Sequence, residues 1–77
     1  MNILEPQPEN YTIYYKDGCP YSESAVSLMK ERKLKYKLIK PDIYEFKGKF
    51  GQQSTFPRIY NNGRLIGGYD DLSIKLK

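Results

Sequence analysis

Histidine and tryptophan are absent from this 77-residue chain, and cysteine occurs once. A single sulfur cannot close a disulfide within the chain, and a structural zinc ion lacks ligands. The missing imidazole removes the usual base of Ser–His and Cys–His catalysis. Any nucleophile must therefore be activated by its electrostatic surroundings. Long apolar runs are missing as well. Neither "MNILEPQPEN" nor any later stretch is apolar over the length of a signal sequence or membrane span, so no membrane association is expected. An unpaired cysteine suits a reducing compartment, which makes a cytoplasmic location the default expectation.

What is present supports one small domain, of a size that buries only ~60% of its unfolded surface. The net charge is +4. Such a basic surface either stays solvated or attracts small anions. Nucleic-acid binding is not expected, because the tyrosines come without an RNA-binding aromatic signature.

Residues 1–10, with Pro6 and Pro8, read as a loose leader to a domain over 11–77. "YTIYY" (Tyr11–Tyr15) is β-branched and aromatic without alternation, as in a strand covered on both faces. Pro20 opens a helix over Tyr21–Arg32, on which Tyr21, Ala25, Leu28 and Met29 share one face. "KYKLIK" reads as a second strand, and Asp42–Phe50 as a helix with Ile43, Phe46, Lys47 and Phe50 at helical spacing despite Gly48. "TFPRIYNNGRLIGG" reads as a hairpin turning on Asn62-Gly63. The final "YDDLSIKLK" offers an Asp cap to a last helix. The order β-α-β-α-β-β-α predicts an α/β domain. Its four-stranded mixed sheet has two parallel strands plus an antiparallel hairpin, flanked by three helices.

Cys19 stands where the first strand gives way to the first helix. The first N–H groups of a helix lack internal partners and carry partial positive charge, which favours a thiolate. Lys16 can add a full charge. Cysteines in such settings titrate at ~3.5–7.5, against ~8.5 for a free thiol. Thiolate population and intrinsic nucleophilicity change in opposite directions as the pKa falls, so attack gains little. Expulsion of the sulfur from a mixed disulfide gains more. The site suits a sulfur that accepts a thiol adduct and then returns it, rather than the small buried hydrophobe that a lone cysteine often is.

"KDGCPYS", "TFP" and "GGYDD" occur in the order and at the rough spacing of the glutaredoxins, and most of Tyr11–Leu76 resembles that family. The resemblance implies a thioredoxin fold and glutathione as cosubstrate. It also implies thiol–disulfide exchange on glutathionylated or disulfide substrates, by a monomer that needs no metal. It makes Pro57 cis, with the backbone of Phe56 free to pair with an extended peptide. Thr55 beside it is either a site residue or an ordinary turn residue. Gly68, Tyr69, Asp70 and Asp71 at the last helix would receive the γ-glutamyl end, or Asp would simply cap that helix. Lys16, with Gln53 as a second candidate or a bystander, would meet the glycyl carboxylate. Tyr21 either flanks the ligand or packs on its helix face.

Ser22 occupies the position of a resolving cysteine. It forbids an internal disulfide but can still donate a hydrogen bond to the Cys19 sulfur. A one-thiol cycle follows. Serine there is also the replacement that traps a mixed disulfide, in which case the native form would be a dithiol oxidoreductase. The alternative class is an iron–sulfur cluster carrier using Cys19 and glutathione in a dimer, disfavoured by the stiff, crowded Pro20-Tyr21. The short middle segment and the end soon after the last motif lead one to expect curtailed peripheral helices.

Overall fold

The computed structural model describes residues 5–77; the first four residues of the expected leader lie outside them. Chain order is β1 (Tyr11–Tyr14), α1 (Pro20–Glu31), β2 (Tyr36–Ile39), α2 (Ile43–Phe50), β3 (Arg58–Asn61), β4 (Arg64–Gly67) and α3 (Tyr69–Lys75). The sheet order is β2-β1-β3-β4, with β1 and β2 parallel and the other pairs antiparallel. This is the predicted mixed sheet with three helices. No helix among the described residues is long and apolar enough to cross a membrane.

The central strand explains its own composition. Thr12, Ile13 and Tyr14 are all fully buried, because successive strand side chains point to opposite, covered faces. Ile13 lies opposite Ile59 of β3, and both join Ala25, Met29 and Leu72 in a core shared with α1 and α3. Tyr14 points the other way, into a second core with Ile39, Phe46 and Tyr60, which Phe50 and Phe56 flank. Burial, then the neighbouring Tyr60, pushes the Tyr14 phenol far above its ordinary pKa. It stays neutral and serves packing.

Between Glu5 and Asn10 the chain has neither helix nor strand. Gln7 N–H donates to Thr12 Oγ1 (3.0 Å), Asn10 N–H to Asn62 Oδ1 (2.9 Å), and Lys49 Nζ pairs with Glu5 (2.6 Å). The segment thus satisfies the hydroxyl of a residue buried in β1.

Local chemistry sets the element ends. Asp42 caps α2 by accepting from Tyr44 N–H (2.9 Å) and Glu45 N–H (3.3 Å). Asn62 and Gly63 both have positive φ, +53° and +78°, as a two-residue hairpin turn requires. In β4 the pairing skips Ile66, since Tyr60 faces Leu65 and Ile59 faces Gly67. This bulge bends the chain into α3.

Two expectations need correction. The buried stripe of α1 is Ser22, Ala25 and Met29, whereas Tyr21 is 61% exposed and does not pack on the core. In addition, α3 begins at Tyr69 with Gly68 as its N-cap. Asp71 does the capping from inside the first turn, its Oδ2 accepting Gly68 N–H at 3.1 Å. Gly68 has no side chain to return the bond, so only half of a capping box exists. Gly67 is required by that arrangement: its φ is +129°, and a Cβ there would collide with the Asp71 carboxylate.

Candidate active site around Cys19

Two segments converge on Cys19. The chain leaves β1 at Tyr14, turns through Asp17-Gly18, and enters α1 with Cys19 as its N-cap and Pro20 as the first helical residue. Cys19 N–H donates to the Lys16 carbonyl (3.3 Å), and Glu23 N–H donates to the Cys19 carbonyl (3.0 Å). The cysteine is thereby fixed at both backbone groups. It is partly exposed.

Ser22 sits directly beneath, fully buried. Its Oγ accepts Lys16 N–H at 3.4 Å, which leaves the hydroxyl proton to donate elsewhere. It donates to Cys19, and this bond is the largest cause of a thiol pKa held below the ordinary value. The Ser22 N–H follows. Partial burial works against the shift, and the Tyr21 N–H and the Lys16 charge favour it more weakly. Cys19 makes no side-chain capping bond in the structure; the N–H groups of Ser22 and Tyr21, at the third and second helical positions, favour its ionised form. The sequence led us to weight the helix end and Lys16. The helix end does contribute, but Lys16 contributes least, because its side chain is exposed to water.

The second element is the segment before β3. The Phe56–Pro57 peptide is cis, as the resemblance implied. Phe56 lays its ring on Phe46 of α2, with centroids 4.1 Å apart and planes 21° from parallel. Its carbonyl lies 3.8 Å from Cys19 Sγ and accepts a weak S–H hydrogen bond. A thiolate has no proton to donate to that carbonyl, so ionisation removes this weak bond. Lys47, which the sequence offered only as a member of a helical spacing, reaches from α2 to the Gln52 (2.9 Å) and Ser54 (3.4 Å) carbonyls. It ties down the loop that delivers Thr55 and Phe56.

Two open depressions meet on the ridge of Thr55 and Phe56. One, of about 420 Å³, is lined by Lys16, Cys19, Ile43, Lys47 and Ser54 among others. The other, of about 370 Å³, is lined by Tyr21, Pro57, Gly68, Tyr69, Asp70 and Asp71. The Tyr21 and Tyr69 rings stand 6.2 Å apart beside it. All the sequence-expected site residues fall on these surfaces or directly beneath Cys19, except Gln53. That residue is exposed in the α2–β3 loop and lines neither depression. Residues not foreseen are Lys47, Ile43 and Ser54. Their roles depend on where α2 lies over the sheet, which no local pattern encodes. The Gly68 N–H, expected to meet a ligand, is already taken by Asp71. The N–H groups of Tyr69, Asp70 and Asp71 open the helix and have no intrahelical acceptor.

Comparison with known proteins agrees with this arrangement. The glutaredoxin family model matches residues 11–66. A probable glutaredoxin of Acanthamoeba polyphaga mimivirus is 28% identical over 88 aligned residues, covering 95% of this chain and 83% of the relative. The mitochondrial glutaredoxin-2 of Mus musculus is 32% identical over 77% of this chain, which spans only 42% of that relative's length. Among solved structures, glutaredoxin 1 from Francisella tularensis, complexed with cacodylate, superposes with a TM-score of 0.75 at 26% identity. The match covers 86% of this chain and 90% of that one. A buckwheat glutaredoxin–glutathione complex gives 0.75 at 23% identity, covering 87% and 68%, a likeness of fold. With the family pattern running from β1 into β4 and the same fold around a cysteine at the mouth of α1, the chain belongs to the glutaredoxin family.

Proposed function

We propose that the chain is a glutathione-dependent thiol–disulfide oxidoreductase that works through Cys19 alone. The observation that carries this reading is a partly exposed, acidified sulfur lining one of two open depressions of unlike charge that share the Thr55–Phe56 ridge. A γ-linked tripeptide is long and charged at both ends, and the two depressions offer complementary ends. Its central residue pairs with the Phe56 backbone beside cis-Pro57. Its glycyl carboxylate faces Lys16, with Lys47 on the same wall. Its γ-glutamyl carboxylate meets the opening N–H groups of α3, and Asp70 meets the ammonium. Asp71 holds the turn through Gly68. Tyr21 and Tyr69 flank that end, and Thr55 lies on the ridge between. The reading needs no metal. The buckwheat relative's complex with glutathione supports the choice of cosubstrate.

The cycle balances with one sulfur. The Cys19 thiolate attacks the glutathione sulfur of a glutathionylated substrate; the mixed disulfide breaks, and the substrate leaves as a thiolate that takes a proton from solvent. Cys19 is now glutathionylated. A second glutathione thiolate attacks the glutathione sulfur of this adduct, forming oxidised glutathione and expelling Cys19 as the thiolate that Ser22 and the helix N–H groups stabilise. The same donors therefore assist departure. A lone cysteine cannot form an internal disulfide, so each turnover consumes one free glutathione, which leaves joined to the glutathione that arrived on the substrate. The cluster-carrier alternative has no separate observation in its favour.

The test is a coupled assay with glutathione and a glutathionylated small disulfide. Cys19→Ser is expected to abolish turnover, whereas Ser22→Cys is expected to retain it and to add a reducible internal disulfide. Appreciable turnover by Cys19→Ser overturns the mechanism.

A further inference from the structure

The charge of the chain is not where the chemistry is. Residues 30–40, "KERKLKYKLIK", hold six cations (Lys30, Arg32, Lys33, Lys35, Lys37 and Lys40) and one acid, Glu31. That segment is +5, while the whole chain is +4, so everything else is slightly acidic. All six cations are exposed. Only Lys40 has an ion-pair partner among the described residues, Asp17 at 3.1 Å. The segment comprises the end of α1, a turn and strand β2.

β2 is an outer strand of the sheet. On its inner side, the Lys35 carbonyl accepts Tyr11 N–H (3.3 Å) and the Ile39 carbonyl accepts Tyr15 N–H (2.8 Å). A strand turns the N–H and C=O of one residue to the same side and alternates sides along the chain. Tyr36 and Leu38 consequently direct their backbone groups outward, and among the described residues no strand pairs there. Leu38 is also 38% exposed. Beside the edge lies a depression of about 390 Å³ lined by Lys37, Leu38, Ile39, Lys40 and Pro41, and closed at the α2 end by Asp42 and Glu45. Asp42 is occupied as the α2 cap.

We propose that the outer edge of β2 is a docking site for an extended acidic peptide segment of a partner protein, which adds as a fifth strand. Unpaired backbone groups supply the pairing, as in strand addition generally, and the lysines choose the sign of the partner. The same lysines repel a second copy of the edge, the usual protection of an outer strand. Nucleic acid fits less well. It cannot use the outward N–H and C=O groups as a strand does. The single aromatic of the segment, Tyr36, packs against the core instead of offering an open stacking face. Asp42 and Glu45 direct the acidic side chains of the peptide toward the Lys35–Lys37 end.

The test uses the full chain and a fluorescein-labelled peptide of alternating Glu and Thr, followed by anisotropy at low salt and by amide hydrogen exchange. Binding is expected to slow exchange at Tyr36 and Leu38. The double variant Lys35→Glu/Lys37→Glu is expected to weaken binding by about tenfold, as two exposed attractions become repulsions. Cys19-dependent turnover in that variant should be unchanged, so this result is independent of the proposed chemistry. Four outcomes overturn the docking site: no binding, no protection at Tyr36 and Leu38, equal binding of a peptide N-methylated along its pairing edge, or tighter binding of oligothymidylate.

Discussion

On one face of the sheet, Ile13, Ala25, Met29, Ile59 and Leu72 make an aliphatic core, while on the other Tyr14, Phe46 and Tyr60, with Phe50 and Phe56 beside them, make a largely aromatic one. Each face supports one half of the site. α1 is rooted in the aliphatic core through Ala25 and Met29, and it carries Cys19 and Ser22. Phe56 is held from the other side by its stack on Phe46. The halves meet where Cys19 Sγ approaches the Phe56 carbonyl. The division separates the acidity of the sulfur from the presentation of its substrate, and the two should respond to different substitutions.

The severest way to break the aromatic half is Phe46→Ala. Phe46 is fully buried and contacts the rings of Tyr14, Phe50 and Phe56. Truncating such a ring costs ~3–5 kcal/mol, a large part of the ~5–15 kcal/mol available to a small domain. Urea unfolding should show most of the stability gone. Phe46→Leu sharpens the comparison. It keeps the site apolar but loses the stack, worth ~0.5–1.5 kcal/mol. KM for a glutathionylated substrate should rise about two- to tenfold, with no change in the Cys19 titration. A shifted titration would mean the halves are coupled.

Ser22→Ala probes the aliphatic half. The variant loses the largest contributor to the lowered thiol pKa, so the pH midpoint of Cys19 alkylation by iodoacetamide should move up toward that of a free thiol, with KM little altered. Because the folded thiol titrates below the unfolded one, its ionisation stabilises the fold fully above the unfolded pKa. That contribution is lost as pH falls through the folded value. Ser22→Ala should shrink the difference in stability between alkaline and acidic buffer. An unmoved alkylation midpoint would assign the acidity to the helix N–H groups alone.

The architecture was legible in the sequence because short β-branched and aromatic runs marked strands, helical spacing marked helices, turn residues stood between them, and three motifs lay in family order. The phase of α1 was not. Positions 21 and 22 both extend the Ala25–Met29 stripe by one turn, and apolarity favoured Tyr21. Ser22 is the residue turned inward, because the buried position lies under the end of β1, where Lys16 N–H needs an acceptor. A polar partner at the end of a core stripe carries no hydrophobic signal. The same holds for Asp71, which was foreseen as a cap but not as one reaching back from the first turn. The Phe56–Phe46 stack and the Lys47 tether depend on packing between segments, where spacing along the chain is silent.

The smallest expected effect is that of Lys16→Met, and it ranks the two explanations of the acidic sulfur. If a full charge nearby were the principal cause, this substitution would raise the alkylation midpoint more than Ser22→Ala does. The geometry orders them the other way. The Lys16 side chain is exposed, and salt screens such charges over ~8–10 Å, while Ser22 is buried in contact with the sulfur. Lys16→Met should therefore move the midpoint upward by less than Ser22→Ala, and the difference from the parent chain should fade as salt is added. Its effect on KM should be the larger one, since the same ammonium lines the depression assigned to the glycyl carboxylate. A midpoint shift that exceeds that of Ser22→Ala and persists in high salt would transfer the acidity from the buried hydroxyl to the lysine.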